Sequence, residues 1–241
     1  MKTILLLSVR QLNSRWRLLV IMLLAALPVA LTALLNALAG GDSDFGEGFI
    51  NIVLDGMIIG AILPIVMMVL ATVAFGHEVE DCTLSYLVLK PLPRSRIVLS
   101  KLLASIVVGG PLVIASGVIA TLLGPQGSGQ AALAVGLALF AGVVTYAAIF
   151  TWAGLISSRA LGFALVYVFL WEGLLSTVLG GVRYLSIRGY SLALLHGIDE
   201  GSYSMLSDRV IEFPAALVGA AAVTIVFFLL TVHRLRWMDV A

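Results

Sequence analysis

The sequence predicts an all-α polytopic membrane protein with six transmembrane helices. Three observations carry that reading. Of 241 residues, 61% are hydrophobic and only 11% charged, with a mean hydropathy of +1.13. A soluble domain is about half apolar and about a quarter charged. The apolar stretches are continuous rather than alternating in short strands, which favours helices over a transmembrane barrel. They are also long enough, since roughly 20 apolar residues carry a helix across a bilayer. Backbone hydrogen bonding leaves only helices and closed barrels as spanning forms. Residues 1–241 read as a single transmembrane domain. The lone Cys82 excludes an internal disulfide. A net charge of +1 with no basic, aromatic-laced patch gives no case for nucleic acid.

Taken in order, the first 16 residues read as an amphipathic helix on the inner membrane surface. Ile4, Leu5, Val9 and Leu12 recur at helical spacing, while Arg10, Asn13 and Ser14 suit a wet face. Six spans follow, at about 18–39, 51–76, 97–123, 131–156, 160–182 and 214–233. Arg15-Trp16-Arg17 opens the first, and Arg234 with Arg236 closes the last, as interfacial anchors do. Pro28, Pro64 and Pro111 lie within the first three spans and predict kinks that a bundle tolerates. Between the last two spans, segment 183–213 has apolar residues from Tyr184 to Ile198 spaced for one or two short helices. It suits either a lid at the outer surface or a structured loop. No repeat relates the two halves, which gives an inverted-repeat carrier little support.

Orientation follows from the basic residues. With both termini on one side, that side collects Lys2, Arg10, Arg15, Arg17, Lys90, Arg94, Arg96, Lys101, Arg159, Arg234 and Arg236. The other side holds Arg183, Arg188 and Arg209. Eleven against three predicts a cytoplasmic first side, and both termini inside.

The segment from His77 to Lys101 is the main polar interruption and is expected to face the cytoplasm. Glu78, Glu80 and Asp81 lead into a helix-favouring stretch with Lys90 near its end, a polarity that suits the helix dipole. Pro91 and Pro93 stop it, and Ser95 is placed to cap the third span. By charge alone this is a solvated loop or a docking element for a soluble partner. Its residues resemble the permease subunits of ABC-2 type transporters. The pieces are Glu78 or Glu80, Thr83-Leu84, Pro91-Leu92-Pro93-Arg94 with Ser95-Arg96, and Lys101. Cys82 stands where that family usually has Gly. Tyr167 to Leu175, with Gly181 to Ile187, is similar to the same family.

The resemblance implies an ABC-2, type V exporter-like bundle. It would work as a dimer, with an identical second permease subunit and two copies of a separate ABC ATPase. Segment 77–96 would supply the coupling helix, with Glu78, Glu80, Asp81, Thr83, Leu84, Tyr86, Arg94 and Arg96 at the ATPase interface. It also implies a bacterial inner-membrane location and export of an amphipathic, lipid-like or drug-like compound. ATP and Mg would be bound by the partner, with no cofactor in this chain. The alternative is a stand-alone secondary carrier or membrane scaffold.

Enzymatic motifs are missing from the sequence. No Gly-x-x-x-x-Gly-Lys-Ser/Thr occurs, nor any Gly-Lys step. After His77-Glu78, Asp81 stands where a zinc protease needs its second His. Met57, Met67 and Met68 suit packing rather than a copper path. Two acids fall within spans. Glu172, near mid-span beside Trp171, costs roughly 2.5–3.5 kcal/mol to bury as a charge. It is either a pathway or gating residue, or a structural acid clamping span five to a neighbour or to the external loop, through Arg183 or Arg188. Asp55, near the outer end of span two, is within reach of water by snorkelling.

Overall fold

The computed structural model describes residues 2–39, 46, 48–80, 93–125, 127–157, 160–175 and 184–237, and every regular element among them is helical. The chain opens with α1 (Lys2–Leu12) and α2 (Arg15–Ala39). Next come α3 (Phe49–Ile62) and α4 (Leu63–Glu80), which run on as one helix of 32 residues. They are followed by α5 (Arg94–Leu123) and α6 (Gly129–Ile156). A shorter pair, α7 (Ala160–Val166) and α8 (Tyr167–Leu175), precedes α9 (Ile187–Ile198) and α10 (Phe213–Trp237). Among the described residues, five helices are long and apolar enough to cross a membrane: α2, α3–α4, α5, α6 and α10. The expected span 160–182 is represented, among the described residues, only by the shorter α7–α8 helix.

Helix α6 sits at the centre, packed against α4, α5, α9 and α10. Its composition permits this. Ala131, Ala134, Ala138, Gly142, Ala147, Ala148 and Gly154 keep its surface low on several faces, and all are buried. The closest approach is at Gly154, where an added Cβ would stand 2.2 Å from the Thr72 carbonyl oxygen of α4. Only a residue without Cβ lets these backbones meet. The outer helices differ: 22% of the apolar window is buried in α2 and in α10, against 72% in α3–α4. Exposed Leu19, Leu23, Leu34, Leu217, Val218 and Leu229 are the side chains such a rim presents to lipid.

Two stretches wind more loosely than an α-helix. In α3 the ladder takes i→i+5 form, and the Leu63 N–H donates to the Ile58 carbonyl. Pro64 follows at once. It has no N–H to give and its ring crowds the carbonyl four residues back, so a wider turn just before it relieves the clash. The second such stretch is α8, which carries Glu172.

Segment 183–213 is not a surface lid over its described part. Ile187, Tyr190, Ser191, Leu192, Ala193, Leu194 and Leu195 of α9 are all buried. Helix α9 runs beside the first turns of α10, with Gly197 against Phe213 and Gly219 against Tyr190. Ile187 lines the same wall as Val223. Ten residues of α10, about 15 Å at the α-helical rise, therefore separate the level of Phe213 from the start of α9. That is about half of a hydrocarbon core roughly 30 Å thick.

Candidate functional site

The deep end of α9 is the first candidate site. Ser186 caps the helix, its Oγ accepting from the Gly189 N–H at 3.1 Å. The same hydroxyl donates to Glu172 Oε2 at 2.5 Å. Glu172 also accepts from the backbone N–H of Ile187 at 2.9 Å and of Arg188 at 3.3 Å, and the Tyr167 hydroxyl lies 3.4 Å from Oε1. A carboxyl group therefore occupies the positive end of a helix dipole and takes up donors that lack intrahelical partners. This accounts for an acid only 1% exposed in an apolar bundle. Beside it, Arg188 donates through Nε to Asp55 Oδ1 at 2.6 Å, joining α9 to α3. Asp55 is thus placed inside the bundle and paired, not reaching for water.

The second candidate site lies at the other end of the bundle, where α4 finishes and α5 begins. Lys101, 1% exposed, reaches from α5 to Glu78 Oε1 at 2.5 Å and to the Ala74 carbonyl, and sits 4.8 Å from the Phe75 ring centroid. Its partners are one helical turn apart on α4, so one ammonium grips the last turns of that helix. Arg94, the first residue of α5, donates through Nη1 to the Leu235 carbonyl in the last turn of α10. Cations satisfy exposed carbonyls at helix C-termini in this way. A small separate core of Phe75, Ile97, Val98, Leu155, Val232 and Leu235 joins α4, α5, α6 and α10 at the same end. Glu80 and Arg96 are exposed beside it. Asp81, Thr83, Leu84 and Tyr86 lie outside the described residues. The helix cap differs from expectation: α5 begins after Pro93, whose carbonyl accepts from the Arg96 N–H, and Ser95 is already inside the helix. Proline's fixed φ pre-sets the chain for the turn.

Among the partners of these groups, Ser186 and Tyr167 were not singled out by sequence reading. Ser186 left one signal, a cap-type residue just ahead of an apolar helical run. Its link to an acid 14 residues upstream left none.

Helical elements of this length and apolarity define a multi-pass membrane protein. Residues 13–182 match the family model described as ABC-2 family transporter protein, and the chain belongs to that family. Membership makes it a membrane permease of the ABC transporter class, a transport subunit without its own nucleotide-binding motif. No curated protein matches the chain. The matched region contains Glu78, Lys101, Asp55 and Glu172 but ends before Ser186 and Arg188.

Proposed function

We propose that this chain is the membrane-spanning subunit of an ATP-driven exporter, with six crossings and both termini in the cytoplasm of a bacterial cell. Two copies form the path, and two ATPase subunits bind beneath them with ATP and Mg. The cargo is an amphipathic, lipid-like or drug-like compound. The ATPase-coupling surface, on segment 77–96, comprises Glu78, Glu80, Asp81, Thr83, Leu84, Tyr86, Arg94 and Arg96, of which Glu80 and Arg96 are exposed. The observation that carries this reading is the buried Lys101–Glu78 pair at 2.5 Å. It fastens the helix entering that segment to the helix leaving it. A push on the segment is then delivered to both spans together instead of splaying them apart. Mid-membrane Glu172 belongs to the structure of the path wall rather than to proton traffic, because its hydrogen bonds hold α9 in place.

Affinity purification of the tagged chain from mild-detergent extracts of its host, with and without crosslinking, tests the reading. An ABC ATPase should be recovered in equal copy number. Glu80→Lys combined with Asp81→Lys should lower that recovery roughly tenfold, about 1.4 kcal/mol of interface energy, while leaving membrane insertion intact. A crosslinked preparation free of any ATPase would return the assignment to a stand-alone carrier or scaffold.

A further inference from the structure

Between α6, the α7–α8 helix and α10 lies a cavity of about 390 Å³, whose lining also includes Leu185 and Ile187. Half of its twelve described lining residues are aromatic, namely Phe150, Trp152, Phe163, Tyr167, Trp171 and Phe227. Aromatics make up only 8% of the chain, so ordinary core filling does not account for this concentration. The rings brace one another. Tyr167 and Trp171 stack at 6.5 Å with planes 15° apart, and Trp152 meets Phe227 edge-on at 5.2 Å. Phe150 meets Tyr167 edge-on at 6.5 Å. Two of their polar atoms have partners: Trp171 Nε1 donates to the Leu185 carbonyl at 3.4 Å, and the Tyr167 hydroxyl faces Glu172 at 3.4 Å.

No charged side chain is among the described lining residues, so among these an anion would find no basic counter-group. A cation would find a wall rich in aromatic rings, whose π-systems attract positive charge. The Glu172 carboxyl group, 3.4 Å from the Tyr167 hydroxyl, is the acid nearest this wall among the contacts described. Phe163, 71% exposed, stands at the rim on the outside of the bundle, where lipid would be. The volume falls within the range of roughly 300–1,000 Å³ typical of small-molecule sites.

We propose that this cavity binds a lipophilic organic cation, with an aromatic or bulky apolar body and a quaternary or delocalised positive charge, taken laterally from the bilayer. The proposal rests on the exporter reading only in making this cation the cargo; binding itself requires no ATPase.

The test is equilibrium binding of tetraphenylphosphonium to the purified full chain in phosphatidylcholine nanodiscs with no ATPase present. Tryptophan quenching and radiolabelled probe serve as readouts. Saturable binding of one probe per chain is expected. Trp152→Leu and Phe227→Leu, which keep the wall apolar but remove a ring, should weaken it roughly 3- to 30-fold. Phe163→Leu, at an exposed rim position that does not threaten folding, should also weaken it. Tetraphenylborate, of the same shape and opposite charge, should show no ring-dependent binding. Unchanged affinity in all three variants overturns the proposal. So does tetraphenylborate binding, or retention of phospholipid, that falls with the same substitutions, since the cavity is then an acyl-chain slot. A chain that recruits an ATPase but fails this test loses only the cation assignment. A chain that binds the cation through its rings but recruits no ATPase loses only the exporter reading.

Discussion

Glu172 and Lys101 are both 1% exposed, yet they are accommodated by different chemistry. Glu172 is met mainly by the dipole and backbone donors of a helix end, Lys101 by a carboxylate, a carbonyl and a ring face. Replacing Glu172 with Leu leaves the Ser186 hydroxyl and two backbone N–H groups facing hydrocarbon. Hydrogen bonds to a charged group are each worth about 1.5–3 kcal/mol, so thermal melting in detergent should show a clear loss. Glu172→Gln, which keeps an acceptor, should lose less. Lys101 follows the rule for buried pairs. Lys101→Met alone strands Glu78 and should cost about 3–5 kcal/mol, whereas Lys101→Met with Glu78→Gln should recover much of that loss. Reversible unfolding of Lys101→Met, Glu78→Gln and the double variant in mixed micelles measures the coupling. Additive losses in the double variant would show that the two residues act separately.

At the scale of elements, the apolar run lengths alone locate α2, α5, α6 and α10 to within a few residues. Solvation energy is decided by length and composition, and both are local properties. Helix α4 runs past its expected end at residue 76 to Glu80, because Glu78 gains a buried cation from α5 and the helix need not stop where the polarity begins. The burial of α9 was not legible. Its apolar pattern suits a surface helix equally well, and what draws it inward is an acid on one helix and Asp55 on another, contacts that no local periodicity encodes. The fit of α4 against α6 yields a further prediction. Gly154→Ala places a methyl group against the Thr72 carbonyl and should cost about 1–3 kcal/mol through overpacking. Gly162→Ala in α7 meets nothing within 4 Å and should be neutral, or stabilising by up to about 1 kcal/mol. Melting temperatures of the two variants, compared side by side, check the contrast.

For the whole molecule, Cys82 makes topology testable without any engineering, because it is the single cysteine in 241 residues. A membrane-impermeant maleimide should leave it unlabelled in intact cells and modify it in inverted vesicles. A cysteine introduced at Gly201 in a Cys82→Ser background should behave in the opposite way. Labelling of both from the same side would rule out the proposed orientation. The order in which these parts leave the ribosome also has a consequence. When residue 175 has been made, α7 and α8 hold an acid, and Ser186, Ile187 and Arg188 do not yet exist to receive it. The shorter helix can settle only after the α9 segment arrives, and α9 has its bed only once α10 stands beside it. Insertion of the last third of this chain is therefore a single concerted act, and a nascent chain arrested between residues 175 and 213 should be the form that quality-control proteases find.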